Sequence, residues 1–136
     1  MNMFLTMLNT EQKKLFISLA YNLASSDGDF SEDERLAIKS YSVEMGMKFK
    51  IEEVDTDINC VISEINKISG VREKKIIVFE MIGLAMSDNN YDDCEREIVC
   101  KVLKIFGLDA EFGVFCEKKL TEYLKLQEEL NANILS

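Results

Sequence analysis

Two short acidic stretches hold most of the side chains in this chain that could do chemistry. The first reads Asp27-Gly28-Asp29-Phe30-Ser31-Glu32-Asp33-Glu34, and the second Asp88-Asn89-Asn90-Tyr91-Asp92-Asp93-Cys94-Glu95. Each presents oxygen-bearing side chains at relative positions 1, 3, 5 and 8. Hard cations such as Ca²⁺ or Mg²⁺ are bound by such oxygens. Asp27, Glu34, Asp88 and Glu95 are therefore the candidate ligands, with Asp29, Asn90 and Asp92 as accessories. The first three ligand positions match an EF-hand loop, but that loop also requires Gly at position 6 and a bidentate Glu at position 12. Those positions hold Glu32 and Ile38 in the first stretch, and Asp93 and Val99 in the second. Neither stretch is an EF-hand.

The same residues have a second use. Ser31 with Glu34, and Asp92 with Glu95, fit the capping box, in which an N-cap side chain and a residue three positions on satisfy each other's backbone N–H. Glu32, Asp33 and Asp93 fall in first helical turns, where the helix dipole favours negative charge. Phe30 and Tyr91 are expected to anchor the turns on the core. Capping leaves Asp27 and Asp88 least explained. Arg35 and Arg96 follow the capping glutamates and are expected to pair with Asp27 and Asp88, with acids of the other stretch, or with solvent.

Other chemistries are thinly represented. The chain has no histidine, which removes Ser-His-Asp and Cys-His nucleophile systems and His-ligated zinc. The four cysteines, Cys60, Cys94, Cys100 and Cys116, form no Cys-x-x-Cys pair. They are expected as free thiols, with Cys60 and Cys100 as small core groups among apolar neighbours. A carboxylate-based enzyme is the remote alternative. The net charge of −9 disfavours nucleic acid and anionic membrane surfaces, which attract basic proteins. No apolar run approaches a membrane span, and the start, Met1 to Leu8, reads as an apolar arm packing on the fold rather than a signal peptide. A cytoplasmic location is expected.

The elements that must position the turns are helices. Proline is absent and only 6 of 136 residues are glycine, which leaves little punctuation for the many turns of an all-β fold. Leu15, Phe16, Leu19, Ala20 and Leu23 share one helical face, with Thr10 as the expected N-cap. Ala37, Ile38, Tyr41 and Met45 continue after the first turn, and Gly46 is a natural stop. Ile58, Val61, Ile62, Ile65 and Ile68 form a connecting helix capped by Asp55 or Thr56 and ended by Gly70. Ile77, Met81, Leu84 and Ala85 line a helix over 72–87. Ile98, Val99, Val102, Leu103 and Phe106 line another over 92–106, stopped by Gly107. Asp109 opens a last helix through Phe112, Phe115, Leu120, Leu124 and Leu130, weakened near its start by Gly113. Residues 131–136 are expected to fray. The methionines read as gap-filling core rather than a partner-binding face.

Shifting the chain by 61 residues brings two segments into register. Leu23-Ala24, Ser26-Asp27, Glu34-Arg35 and Gly46 meet their identical counterparts at Leu84-Ala85, Ser87-Asp88, Glu95-Arg96 and Gly107. These identities sit at the turn, the cap and the stop. Each unit is a helical hairpin with one apolar side, so the two halves are expected to pack together.

The paired motif, Ala24-Ser25-Ser26-Asp27-Gly28 with Glu34 and Ala85-Met86-Ser87-Asp88-Asn89 with Glu95, resembles the TerB-like, tellurite-resistance-associated helical domains over about residues 10–130. The second copy departs at Asn89, where the first has Gly28. The resemblance implies an all-helical, roughly seven-helix fold and a cytoplasmic, non-enzymatic role in bacterial chemical stress. It also implies a metal site at Asp27, Glu34, Asp88 and Glu95. A similar domain occurs in DjlA-type co-chaperones, but with no His the chain cannot carry a J-domain's His-Pro-Asp motif.

The expected structure is a single all-α bundle of six to seven helices with an internal pseudo-twofold repeat. The first repeat spans about 10–47, a connecting helix 52–70, the second repeat 72–108 and a C-terminal helix 109–131. The expected function is a non-catalytic binding module with protein partners. No nucleic acid and no membrane insertion are expected, and homo-oligomerisation stays open. The alternative is binding of a divalent cation, Ca²⁺ or Mg²⁺, by the acidic turns.

Overall fold

The computed structural model describes residues 3–26, 28, 32–48, 50–87 and 91–136, and they form a single all-helical bundle with no strand among them. The six α-helices are α1 (Thr10–Ala24), α2 (Glu32–Glu44), α3 (Ile58–Ile68), α4 (Val71–Met86), α5 (Asp93–Phe106) and α6 (Ala110–Ile134), with short 3-10 turns at Leu5–Met7 and Ile51–Glu53.

Local chemistry sets the helix starts, and it moves several of them from their expected places. α1 is capped by Asn9, not Thr10. The Asn9 side chain accepts from the Gln12 N–H at 2.8 Å, and Gln12 Oε1 accepts from the Asn9 N–H at 3.0 Å. This reciprocal box satisfies two backbone donors, more than a Thr10 cap would. α3 is capped by Asp57, which accepts from the Asn59 and Cys60 N–H groups. Asp55 is instead held by its own N–H to Ser18 Oγ, while its carboxylate takes the Asp57 N–H. Gly70 does not end α3. The chain is already extended at Ser69, and Gly70 precedes α4, where Glu73 reaches back to its N–H.

α1 and α4 are the central helices. α1 packs on α2, α3, α4 and α5, while α4 also packs on α5 and α6. Phe16, Leu19 and Leu23 of α1 meet a core that includes Ile38, Ile62, Ile65, Ile77, Met81, Ile82 and Leu120, all essentially solvent-free. Full burial of each such side chain contributes about 1.5–3 kcal/mol. The hairpins α1–α2 and α4–α5 thus meet through their first helices.

Both hairpins also end alike. Gly46 and Gly107 adopt left-handed φ values of 73° and 68°, which an L side chain enters only with strain. Beyond them the Met47 N–H bonds Ser42 O, and the Leu108 N–H bonds Leu103 O, at 2.8 and 2.9 Å. These are the same wrap-around cap, displaced by 61 residues.

The N-terminal arm packs as expected. Leu5 and Leu8 are buried, and the Phe4 ring meets Phe79 of α4 edge-on at 5.5 Å. Cys60 and Cys100, expected in the core, are exposed, whereas Cys116 is buried. Sequence neighbours on a helix diverge by about 100° per residue, so Cys60 faces away from the core that Val61 and Ile62 enter. Gly113 does not delay α6, which runs through it from Ala110. The expected fraying from 131 gives way to helix up to Ile134.

Candidate functional site

The acidic turns follow α1 and α4. In the first half, Glu34 lies half-buried in the first turn of α2 and Arg35 is exposed. Asp27, Asp29, Phe30 and Ser31 fall outside the described residues, as do Asp88 and Asn90, so the expected capping box at Ser31 and four of the seven candidate ligands have no described geometry. Gly28 has φ 91°, as expected for a residue leaving a helix in left-handed conformation.

The second turn is described from Tyr91 onward. The Asp92 side chain accepts from the Glu95 N–H at 2.8 Å, and Glu95 Oε1 accepts from the Asp92 N–H at 3.2 Å. Glu95 is buried. Two of the candidate ligands are therefore engaged in starting a helix, as the capping reading requires. Among the described residues no three His, Cys, Asp or Glu side chains are placed to hold a metal ion.

Arg96 is committed to a partner the sequence did not suggest. Its guanidinium carbon lies 4.1 Å from the centroid of the Tyr91 ring, and its Nη1 donates to Glu117 Oε1 of α6 at 3.1 Å. The stack and ion pair tie the second turn to the last helix. The Tyr91 hydroxyl is pushed above its ordinary range, first by burial and then by the Glu117 charge, with Arg96 opposing.

Three features escaped the sequence reading. Glu80 is fully buried on α4. Its Oε2 accepts from the Met3 and Phe4 N–H groups at 3.0 and 3.1 Å, while its Oε1 has no hydrogen-bond partner among the described residues. Its position between Ile77, Met81 and Leu84 on one helical face was the available signal. Gln12 is also buried, and beyond its cap it donates to Ser69 Oγ at 3.1 Å, joining α1 to the α3–α4 corner.

The third feature is the outer half of α6. At about 1.5 Å per residue its 25 residues reach about 38 Å, well past the 16-residue α4 beside it. Leu120 is the last buried residue and Leu124 is half-buried; all others from Thr121 onward are exposed. Tyr123, Leu126, Leu130 and Ile134 nevertheless continue an apolar face, with Leu126 55% and Ile134 71% exposed.

Cavities offer less. A recess lined by Lys14, Ile17, Ser18, Met47 and Val54 holds about 50 Å³, far below the roughly 300–1,000 Å³ of small-molecule pockets. Among the described residues no helix is long and apolar enough to cross a membrane. Compared with family models, curated proteins and solved structures, the chain matches none.

Proposed function

We propose that this protein is a non-catalytic binding module that works by docking a protein partner on the exposed face of α6. The single observation behind this reading is the row Tyr123, Leu126, Leu130 and Ile134, apolar at helical spacing yet exposed along the projecting half of the helix. Contiguous exposed apolar surface of this kind marks interaction sites on soluble proteins, and such a row suits recognition of another helix. Capping use of Asp92 and Glu95 supports the same reading, because it gives those acids a role without a ligand. A place in a chemical-stress response rests on the resemblance of the two Asp-bearing units to TerB-like domains.

The test is capture of partners from the native host, with and without tellurite or oxidative stress, by the wild-type chain and by Leu126→Glu with Leu130→Glu. Reproducible partners that the variant loses support the reading. Identical capture by both chains, or none by either, overturns it.

A further inference from the structure

α6 carries a charge order that matches its own reverse. Take about 100° per residue around an ideal helix. Phe115, Tyr123, Leu126, Leu130 and Ile134 then fall within about 100° of arc, the width of a packing face. All five are exposed; Lys119 falls on the same arc between Phe115 and Tyr123, its ammonium turned to Glu122 on the edge at 3.3 Å. Along one edge of that face run Lys118, Glu122, Lys125 and Glu129, also exposed. Read in reverse, the signs invert: Lys118 takes the place of Glu129, and Glu122 that of Lys125. The centre of both exchanges lies between Tyr123 and Leu124.

We infer that the α6 face docks a second copy of this chain as an antiparallel helix pair about that centre. In an antiparallel pair each edge faces the same edge of its partner. Lys118 then lies opposite Glu129, and Glu122 opposite Lys125, twice each by symmetry. A parallel pair would instead set this edge against the opposite edge of its partner, where the exposed residues Gln127 and Asn131 carry no charge, so the ordered charges would find no complement. The two-fold, self-complementary arrangement is the usual form of a homodimer. Tyr123 lies half a residue from that centre, so the two Tyr123 rings come together beside the two-fold axis, aromatic anchors of the kind that dominate interface cores. The cap-side end of the face stays fixed to the bundle, since Phe112 stacks on Phe115 at 6.4 Å and lies beneath the Lys75 ammonium. The inference rests on the reading of α6 as a protein-docking surface and names its partner.

Sedimentation equilibrium of the pure full chain, from about 1 µM to 1 mM, tests it. The expected result is a monomer–dimer equilibrium. Leu126→Glu with Leu130→Glu should abolish the dimer while leaving the monomer folded by circular dichroism, since both side chains are exposed. Lys125→Glu should weaken the dimer roughly tenfold, given the modest worth of exposed ion pairs, and adding Glu122→Lys should restore it. A parallel pair would not respond in this way, because Lys125 would then face the uncharged edge of Gln127 and Asn131 rather than Glu122. A monomer at every concentration, a dimer indifferent to the leucine changes, or no recovery in the double charge swap overturns the inference. If the pure chain is monomeric but host capture is still lost in the leucine variant, the second copy is wrong and the docking reading stands. If neither is seen, both fall.

Discussion

Glu80 occupies in the second hairpin the place that Leu19 holds in the first, 61 residues earlier, and both are fully buried. A carboxylate stands where the repeat calls for a core leucine. Its use is local: Oε2 holds the arm by the Met3 and Phe4 N–H groups. Its cost is that burial raises its protonation range above that of an ordinary carboxylate, more than the two backbone donors lower it. A group whose folded pKa is raised stabilises the fold below its unfolded pKa, and that contribution is lost as pH rises through the folded value. Glu80→Gln keeps an acceptor for the arm and removes the charge. It should melt higher than wild type at pH 7 and close to it near pH 4. A constant difference across that range would refute this account of Glu80.

The arm should be part of the cooperative fold. Leu5 precedes the first α-helix yet has no solvent exposure, so Leu5→Ala should cost about 2–5 kcal/mol in chemical denaturation. A loss below about 1 kcal/mol would mean the arm is only loosely attached.

The capping box at α5 predicts a modest, metal-independent loss. Asp92→Ala removes the acceptor of the Glu95 N–H and should cost about 1 kcal/mol, equally with and without millimolar Ca²⁺ or Mg²⁺. A wild-type melting temperature that climbs progressively with metal, and stops doing so in Asp27→Asn with Asp88→Asn, would favour the cation reading instead.

Gly113 lies where α6 crosses α5, and a Cβ built there would sit 2.9 Å from Leu103 Cδ1. Replacing a helical glycine by alanine ordinarily gains about 1 kcal/mol. Leu103 is itself packed in the core, so its displacement should offset that gain. Gly113→Ala is expected to leave the melting temperature unchanged or lower; a rise of several degrees would show that Leu103 moves freely.

Much of this fold was legible because helix ends carry strong local chemistry. Gly46, Gly107, Asp92 and Asp109 all act at the positions their residue types suggest. The expected roles of Thr10 and Gly70 fail where two adjacent signals compete: Asn9 with Gln12 caps α1 ahead of Thr10, and a glycine between helices serves the start of one as readily as the end of another. The cysteines misled because apolar neighbours in sequence are not neighbours around a helix. The candidate site was less legible. Arg96 finds Glu117 across 21 residues, and no local pattern encodes that distance. The apolar period of α6 reads identically whether its face is covered by the bundle or projects beyond it; only the packing of Leu120 as its last buried residue separates the two.

The α6 face is the centre of this account, and the most direct measurement is paired capture from the native host with wild-type chain and with Leu126→Glu, Leu130→Glu. The account predicts reproducible partners, a second untagged copy of the chain among them, that the variant fails to retain while remaining folded. The same proteins held equally by both chains would contradict it.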